Sequence, residues 1–370
     1  MRILFLEQNP RFVGGSERMS LSLCRHALRR GHEAMLVHAG QGDMVEAYAG
    51  AGAPTRQAPI LPLAVRHPLK AWRSLRLLRS LVRREGMEVI FTSQVSYVSL
   101  IGAVGHWTGA RSIVHLGLTY DFRSPLFRAG MRAVDLGVAP SEHTAGDWRE
   151  RGWPASALRV IPNGVDVEVF TRGDGREAAQ RRLGLSSGVP LVAYVGRLVE
   201  EKGIFTLLRA FAVRQRAGAT GHLLFVGAAP ADEVSRLEKC AEEEGLPPQA
   251  WSVRPSTPSP EDVYRAADMV VVPSQWEEPF GLVPLEAMAC GTFTLVSDRG
   301  ILPELVSPVG NSAVFPAGDV PALAGRLEQW LGSPEDRGSA AVLLAQSVRE
   351  RYSFDRCGDQ YLKEFSALVG

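Results

Sequence analysis

Residues 1–38, MRILFLEQNPRFVGGSERMSLSLCRHALRRGHEAMLVH, pass from an apolar run through a glycine turn and an amphipathic stretch to a second apolar run. Residues 3–6 are apolar and predict a buried strand. Gly14 and Gly15 form the turn, Ser16 is placed to cap a helix, and Gly31 ends it. Residues 33–38 then resume a strand. Strand, turn, helix and strand in this order open a parallel sheet. The alternation continues outward with a basic helix near residues 68–85 and a strand at 89–92. A helix follows from about Tyr97, then strands at 112–115 and 136–139. A second copy of the same grammar starts at Pro190. It has strands at 191–195, 223–226, 269–272 and 294–296, with helices at 204–215, 231–244 and 281–289 between them. The pattern predicts an α/β chain of two Rossmann-like, doubly wound domains facing a cleft. The domains are residues 1–162 and 189–350, and the polar, arginine-rich run 163–188 is the linker where a hinge would lie. Residues 351–370 close the chain with an amphipathic helix, which needs another surface to cover.

Composition narrows the function classes. The 370 residues are 45% apolar and 22% charged, enough to build two packed cores. Forty-one basic residues against forty acidic ones leave a net charge of +1, so no global field draws nucleic acid. Cys24, Cys240, Cys290 and Cys357 have neither zinc-ligand nor disulfide spacing, which fits a reducing, cytoplasmic setting. No run approaches the roughly 20 apolar residues of a spanning helix. Lysine occurs only at positions 70, 202, 239 and 363 in a chain that otherwise uses arginine.

Two stretches carry chemistry. In Pro273-Ser-Gln-Trp-Glu-Glu-Pro-Phe-Gly-Leu-Val-Pro-Leu-Glu286, a loop leaves a buried strand, presents Glu278, passes Phe280 and Gly281, and enters a helix bearing Glu286. Free backbone N–H groups of Gly281, Leu282 and Val283, aided by the helix dipole, suit a phosphate without a metal. In Tyr194-Val-Gly-Arg-Leu-Val-Glu-Glu-Lys-Gly203, Arg197 offers a planar fork and Lys202 a mobile point charge, a combination suited to a diphosphate. Taken singly, glutamates at a helix start and a loop lysine are also ordinary solvated charges.

Jointly these residues resemble the retaining, metal-independent GT-B glycosyltransferases of glycosyltransferase family 4, also called group 1 glycosyl transferases. The resemblance rests on Gly14-Gly-Ser-Glu17, Pro162-Asn-Gly-Val-Asp166, Gly196-Arg-Leu with Lys202-Gly203, the segment from Glu278 to Glu286, and the closing Tyr352-Ser-Phe helix, in that order across the chain. It implies that Glu286 holds the ribose of a nucleotide sugar, and that Arg197 and Lys202 hold its diphosphate. Glu278 faces the donor sugar, with the backbone of Phe280, Gly281 and Leu282 touching sugar and phosphate. Gly14 and Gly15 approach the donor from the other domain, and His115 lies near donor sugar and acceptor. The closing helix crosses back onto the first domain. The sequence departs from the family pattern in three places. Leu116-Gly117 follows His115 where an aspartate is common, the nearest acid being Asp121. Arg299 replaces a usual glycine, and Val253-Arg-Pro-Ser-Thr replaces the usual lining of the base pocket.

The function implied is transfer of a hexose or N-acetylhexosamine from a nucleoside-diphosphate sugar to a hydroxyl of a saccharide, lipid-linked or small-molecule acceptor. Uridine is favoured as the base and guanosine next, and no metal or other cofactor is required. Residues 93–97 and 119–122 are the candidate acceptor loops. A silent nucleotide-sugar-binding subunit and an epimerase of the same fold are the alternatives. A nicotinamide dehydrogenase is excluded because neither half has Gly-x-Gly-x-x-Gly after its first strand. Residues 66–84 carry Arg66, Lys70, Arg73, Arg76, Arg79, Arg83 and Arg84. Trp72, Leu75, Leu78 and Val82 form one stripe there, with Leu77 and Leu81 among the cations. Such a helix suits peripheral contact with an anionic membrane, and a solvated helix covering a sheet would look the same.

Overall fold

The computed structural model describes residues 1–12, 14–64, 66–118, 124–186, 188–257 and 259–370. Its first seven strands are β1 (Arg2–Leu6), β2 (Glu33–His38), β3 (Thr55–Gln57), β4 (Val89–Thr92), β5 (Arg111–His115), β6 (Leu136–Ala139) and β7 (Leu158–Val160). All pair in parallel in the order β3-β2-β1-β4-β5-β6-β7. The next six are β8 (Leu191–Val195), β9 (His222–Val226), β10 (Trp251–Arg254), β11 (Met269–Val272), β12 (Phe293–Ser297) and β13 (Val314–Phe315). They form a second parallel sheet in the order β10-β9-β8-β11-β12-β13.

Parallel strands covered by helices on both faces must be apolar throughout rather than alternating. Ile3, Leu4, Phe5 and Leu6 of β1 are all fully buried, as are Met269, Val270 and Val271 of β11. Each such side chain contributes about 1.5–3 kcal/mol of burial. The expected strands are present, and four further ones lie at the sheet edges: β3, β7, β10 and β13.

The chain divides into two compact units, Met1–Gly164 with Phe354–Gly370, and Val165–Ser353. The closing helix, Phe354–Val369, thus belongs to the first unit. It buries Phe354, Cys357, Tyr361, Leu362 and Phe365, and the rings of Tyr361 and Phe365 stand 6.1 and 6.2 Å from Phe91 of β4. Its outer edge is tied by Asp359, which accepts hydrogen bonds from His26 and Arg30 at 2.8 Å each. The run 163–188 contains the helix Arg176–Arg182. Ala179 of that helix joins the second unit's core, and Arg182 pairs with Asp262 at 2.7 Å.

Two local expectations are corrected. Gly14 is the N-cap of the helix Gly15–Arg29, so Ser16 lies inside that helix and does not cap it. The cap bond comes from Glu17, whose Oε2 accepts from the Gly14 N–H at 3.0 Å. In the basic helix Pro68–Arg84 the buried face is Ser74, Leu78, Leu81 and Val82. Trp72 is 56% exposed and does not belong to the inner stripe, while Leu81 points inward and not among the cations. At about 100° per residue, steps of three drift off a face, and two such steps back from Leu78 place Trp72 roughly 120° round the helix, off the buried side.

Candidate functional site

In an open parallel sheet, ligands bind beyond the carboxyl ends of the strands, where the strand order reverses. In the second unit that point lies between β8 and β11. The loop after β8 carries Arg197 and Lys202, and the loop after β11 carries Trp276, Glu278, Phe280 and Gly281.

Several contacts knit these two loops together. Gly203 has φ of +74°, and a Cβ there would overlap the carbonyl oxygen of Pro273, so no other residue fits. Gln275 donates its backbone N–H to the Glu201 carbonyl at 2.9 Å and its side-chain amide to Thr206 at 2.8 Å. The result delivers the Lys202 ammonium to Glu278 Oε1 at 2.5 Å, with the Trp276 ring 4.4 Å from the same nitrogen. Both charges are largely buried, so the pair is worth its geometry only while both members remain.

The other candidate residues of the second unit take separate positions. Arg197 is about half exposed and meets Glu201 at 3.2 Å on its own loop. Phe280 is buried against Tyr352, their rings 6.1 Å apart. Gly281 is the N-cap of the helix Leu282–Ala289 and offers no side chain. Among the described residues, the N–H groups of Gly281, Leu282 and Val283 have no acceptor, so the first turn is open to an anion. Glu286, one turn on and buried, accepts from the Tyr264 hydroxyl at 2.7 Å. Glu278 and Glu286 therefore hold different partners. Arg299 pairs with Glu277 at 3.4 Å, and Gly300 donates its N–H to Glu277 at 2.6 Å, binding that loop to the Glu278 segment. Arg254, from the segment that departs from the family pattern, donates to the Leu183 carbonyl at 2.7 Å.

The first sheet reverses between β1 and β4. Gly14 and Gly15 follow β1, and His115 ends the neighbouring β5. His115 is fully buried, and burial pushes its pKa down to about 3, so the ring is neutral. Between the β1 and β4 loops lies a residue that sequence reasoning passed over, Glu7. Its carboxyl accepts from Ser20 Oγ at 2.8 Å and from the N–H and hydroxyl of Ser93 at 2.9 Å each. Burial pushes its pKa up to about 7. Tyr97 of the 93–97 loop donates to the Ile60 carbonyl at 3.1 Å. The other acceptor candidate, residues 119–122 with Asp121, lies outside the described residues. Trp276, Tyr264 and Tyr361 were also passed over. Trp276 had a signal, standing two residues before Glu278, and Tyr361 had one in its spacing from Phe354 along the closing helix; Tyr264 had none.

Among the described residues, no three His, Cys, Asp or Glu side chains gather as metal ligands, and no helix is long and apolar enough to cross a membrane.

Residues 13–169 match the family described as Glycosyltransferase Family 4, and residues 175–341 match Glycosyl transferases group 1. The chain is 40% identical over 202 residues to a D-inositol 3-phosphate glycosyltransferase of Corynebacterium jeikeium, covering 51% of this chain and 47% of that protein. It is 35% identical over 222 residues to the protein of the same name from Mycolicibacterium smegmatis, covering 58% and 48%. The chain spans about half the length of these curated relatives. Among solved structures, a Rickettsia africae glycosyltransferase superposes with a TM-score of 0.87 at 16% identity, covering 100% of this chain and 98% of that one. Anabaena HepE, in complex with UDP-glucose, does so at 0.81 and 20%, covering 99% and 100%. With two parallel Rossmann-like sheets of the GT-B type and matches across both halves, the chain belongs to the group 1, or family 4, glycosyltransferases.

Proposed function

We propose that this chain is a retaining, metal-independent glycosyltransferase that moves a hexose or N-acetylhexosamine from a nucleoside-diphosphate sugar, a UDP-sugar first and a GDP-sugar next, to an acceptor hydroxyl. The observation that carries the reading is the Lys202–Glu278 pair at the switch point of the second sheet, beside the open helix start at Gly281. A departing nucleoside diphosphate gathers negative charge on its phosphate oxygens. The amides from Gly281 to Val283 are fixed positive ends able to meet that charge, and Lys202 and Arg197 would turn to it from their carboxylate partners Glu278 and Glu201. Glu286 would hold the ribose hydroxyls, and Glu278 the donor sugar. As the bond from the anomeric carbon to the phosphate oxygen breaks, the acceptor oxygen bonds to that carbon from the same face. The acceptor proton passes to the departing phosphate. The loops at the carboxyl edge of the first sheet are assigned the acceptor. The relatives' name adds inositol phosphates to the saccharide, lipid-linked and small-molecule acceptors to be tried.

Product formation from a panel of UDP- and GDP-sugars, with and without EDTA, tests the reading. Lys202→Ala should lower turnover at saturating donor by about 10²-fold or more. A loss confined to the apparent donor affinity would remove the leaving-group role. No product from any pairing would turn the reading to a silent nucleotide-sugar-binding subunit.

We further infer that the protein works at the cytoplasmic face of an anionic membrane. The helix Pro68–Arg84 contains no acidic residue and exposes Leu69, Trp72 and Leu77 beside Arg73, Arg76 and Arg79. The four cysteines, all unpaired and buried, accord with a reducing compartment.

A further inference from the structure

His115 and Tyr361 meet inside the first unit. The Tyr361 hydroxyl lies 2.9 Å from His115 Nδ1, and both residues are fully buried. Tyr361 cannot swing away, because Phe91 and Phe365 stand edge-on to its ring at 6.1 and 6.0 Å. A neutral imidazole has one N–H and one bare nitrogen, and which is which depends on the partner of Nδ1. Burial keeps the phenol protonated, well above its ordinary range. Among the described residues, its proton has no acceptor other than Nδ1. A hydrogen on Nδ1 would strand the phenol proton in the core. Donation from the phenol to Nδ1 leaves the ring hydrogen on Nε2.

That second nitrogen is buried and has no partner among the described residues. It faces Gly117 and Ser16. A Cβ on Gly117 would come within 3.0 Å of Nε2 and would overlap Ser16 Oγ. The Nε2–H therefore points at the place where the start of the helix Gly15–Arg29 meets the end of β5, at the carboxyl edge of the sheet.

We propose that Tyr361 is a positioning residue, whose hydroxyl holds His115 as the Nε2–H tautomer so that this N–H is offered to a substrate oxygen at the carboxyl edge of the first sheet. That the substrate is a sugar or an acceptor hydroxyl rests on the glycosyl-transfer reading; the tautomer does not. A clue in the sequence was the spacing within the closing helix, where Tyr361 falls seven residues after Phe354 on the same buried face.

Long-range ¹H–¹⁵N correlation spectroscopy reads the tautomer directly, with His115→Gln serving to assign the resonances. Wild type should show one ring, protonated at Nε2 and bare at Nδ1. Tyr361→Phe keeps the ring packing and removes the donor, so the ring should become a mixture or move its hydrogen to Nδ1. Turnover should fall about 3- to 10-fold, the worth of one hydrogen bond, with UDP affinity unchanged. A wild-type ring protonated at Nδ1, or a tautomer indifferent to Tyr361→Phe, would overturn the proposal. If that variant does not fold, Tyr361→Leu takes its place, and a wild-type ring protonated at Nδ1 still overturns the proposal. An absence of transfer by wild type would count against the glycosyl-transfer reading and leave the spectroscopic result standing.

Discussion

Glu7 follows the apolar run of β1 and would pass for the point where a strand reaches solvent, yet it is fully buried. Its carboxyl ties Ser20, and through it Tyr48, to Ser93, joining the first helix to the loop after β4. Desolvation is the main cause that raises its pKa to about 7 from an ordinary 4.5, with the charge of Glu17 adding to it. A raised carboxyl pKa means that the folded chain keeps a proton which the unfolded chain has lost. Stability therefore falls as pH rises through this window, and the penalty is complete above about 7. His115 acts in the opposite sense: its depressed pKa costs stability as pH falls below the ordinary 6.5. The Glu7 contribution is isolated by comparison with Glu7→Gln. The variant's melting temperature relative to wild type should rise from about pH 5 to about pH 8, by the equivalent of about 2–3 kcal/mol. A constant gap across that range would show that Glu7 titrates normally. At this scale the sequence was legible where a candidate residue stands in a local motif. Lys202 and Glu278 sit in recognisable loops, whereas Glu7, Tyr264 and Tyr361 acquire their partners from residues 13 to 246 positions away.

Among the elements, central strands were legible because burial on both faces demands continuous apolar runs. The edge strands were not. Thr55–Gln57 is exposed throughout and Val314–Phe315 has two residues, so neither carries a pattern. The basic helix was legible as a helix, but its facing depended on packing against the sheet. With Trp72 outward, Arg76 stacks on its ring at 5.3 Å, giving an apolar tip flanked by cations. The protein should sediment with vesicles rich in phosphatidylglycerol at about 0.05 M salt and release at about 0.5 M, as charge screening dictates. Trp72→Ala with Leu69→Ala should weaken the binding. Equal binding to neutral vesicles, or none to anionic ones, would contradict a membrane role for this helix.

At the scale of the whole molecule, each sheet brings candidate site residues to its own point of strand reversal. Residues Gly14, Gly15 and Glu7 lie there in the first sheet, and Arg197, Lys202 and Glu278 in the second. The repeated strand–helix grammar made this architecture readable, since a parallel sheet built from such units has few arrangements. The loops proposed to choose base and acceptor, such as that after Arg254, have residues that follow no such rule. The central claim is that the second unit binds a nucleoside diphosphate through Glu286 and the open helix start. The direct measurement is thermal unfolding of wild type and Glu286→Ala with UDP, GDP, ADP and TDP, with and without EDTA. A ligand at 100 times its dissociation constant adds about 2.7 kcal/mol, enough to raise the midpoint by a few degrees. The account predicts that UDP stabilises wild type irrespective of EDTA, and that Glu286→Ala needs about tenfold more UDP or greater for the same shift. No stabilisation of wild type by any of the four nucleotides, or an undiminished UDP shift in Glu286→Ala, would contradict it.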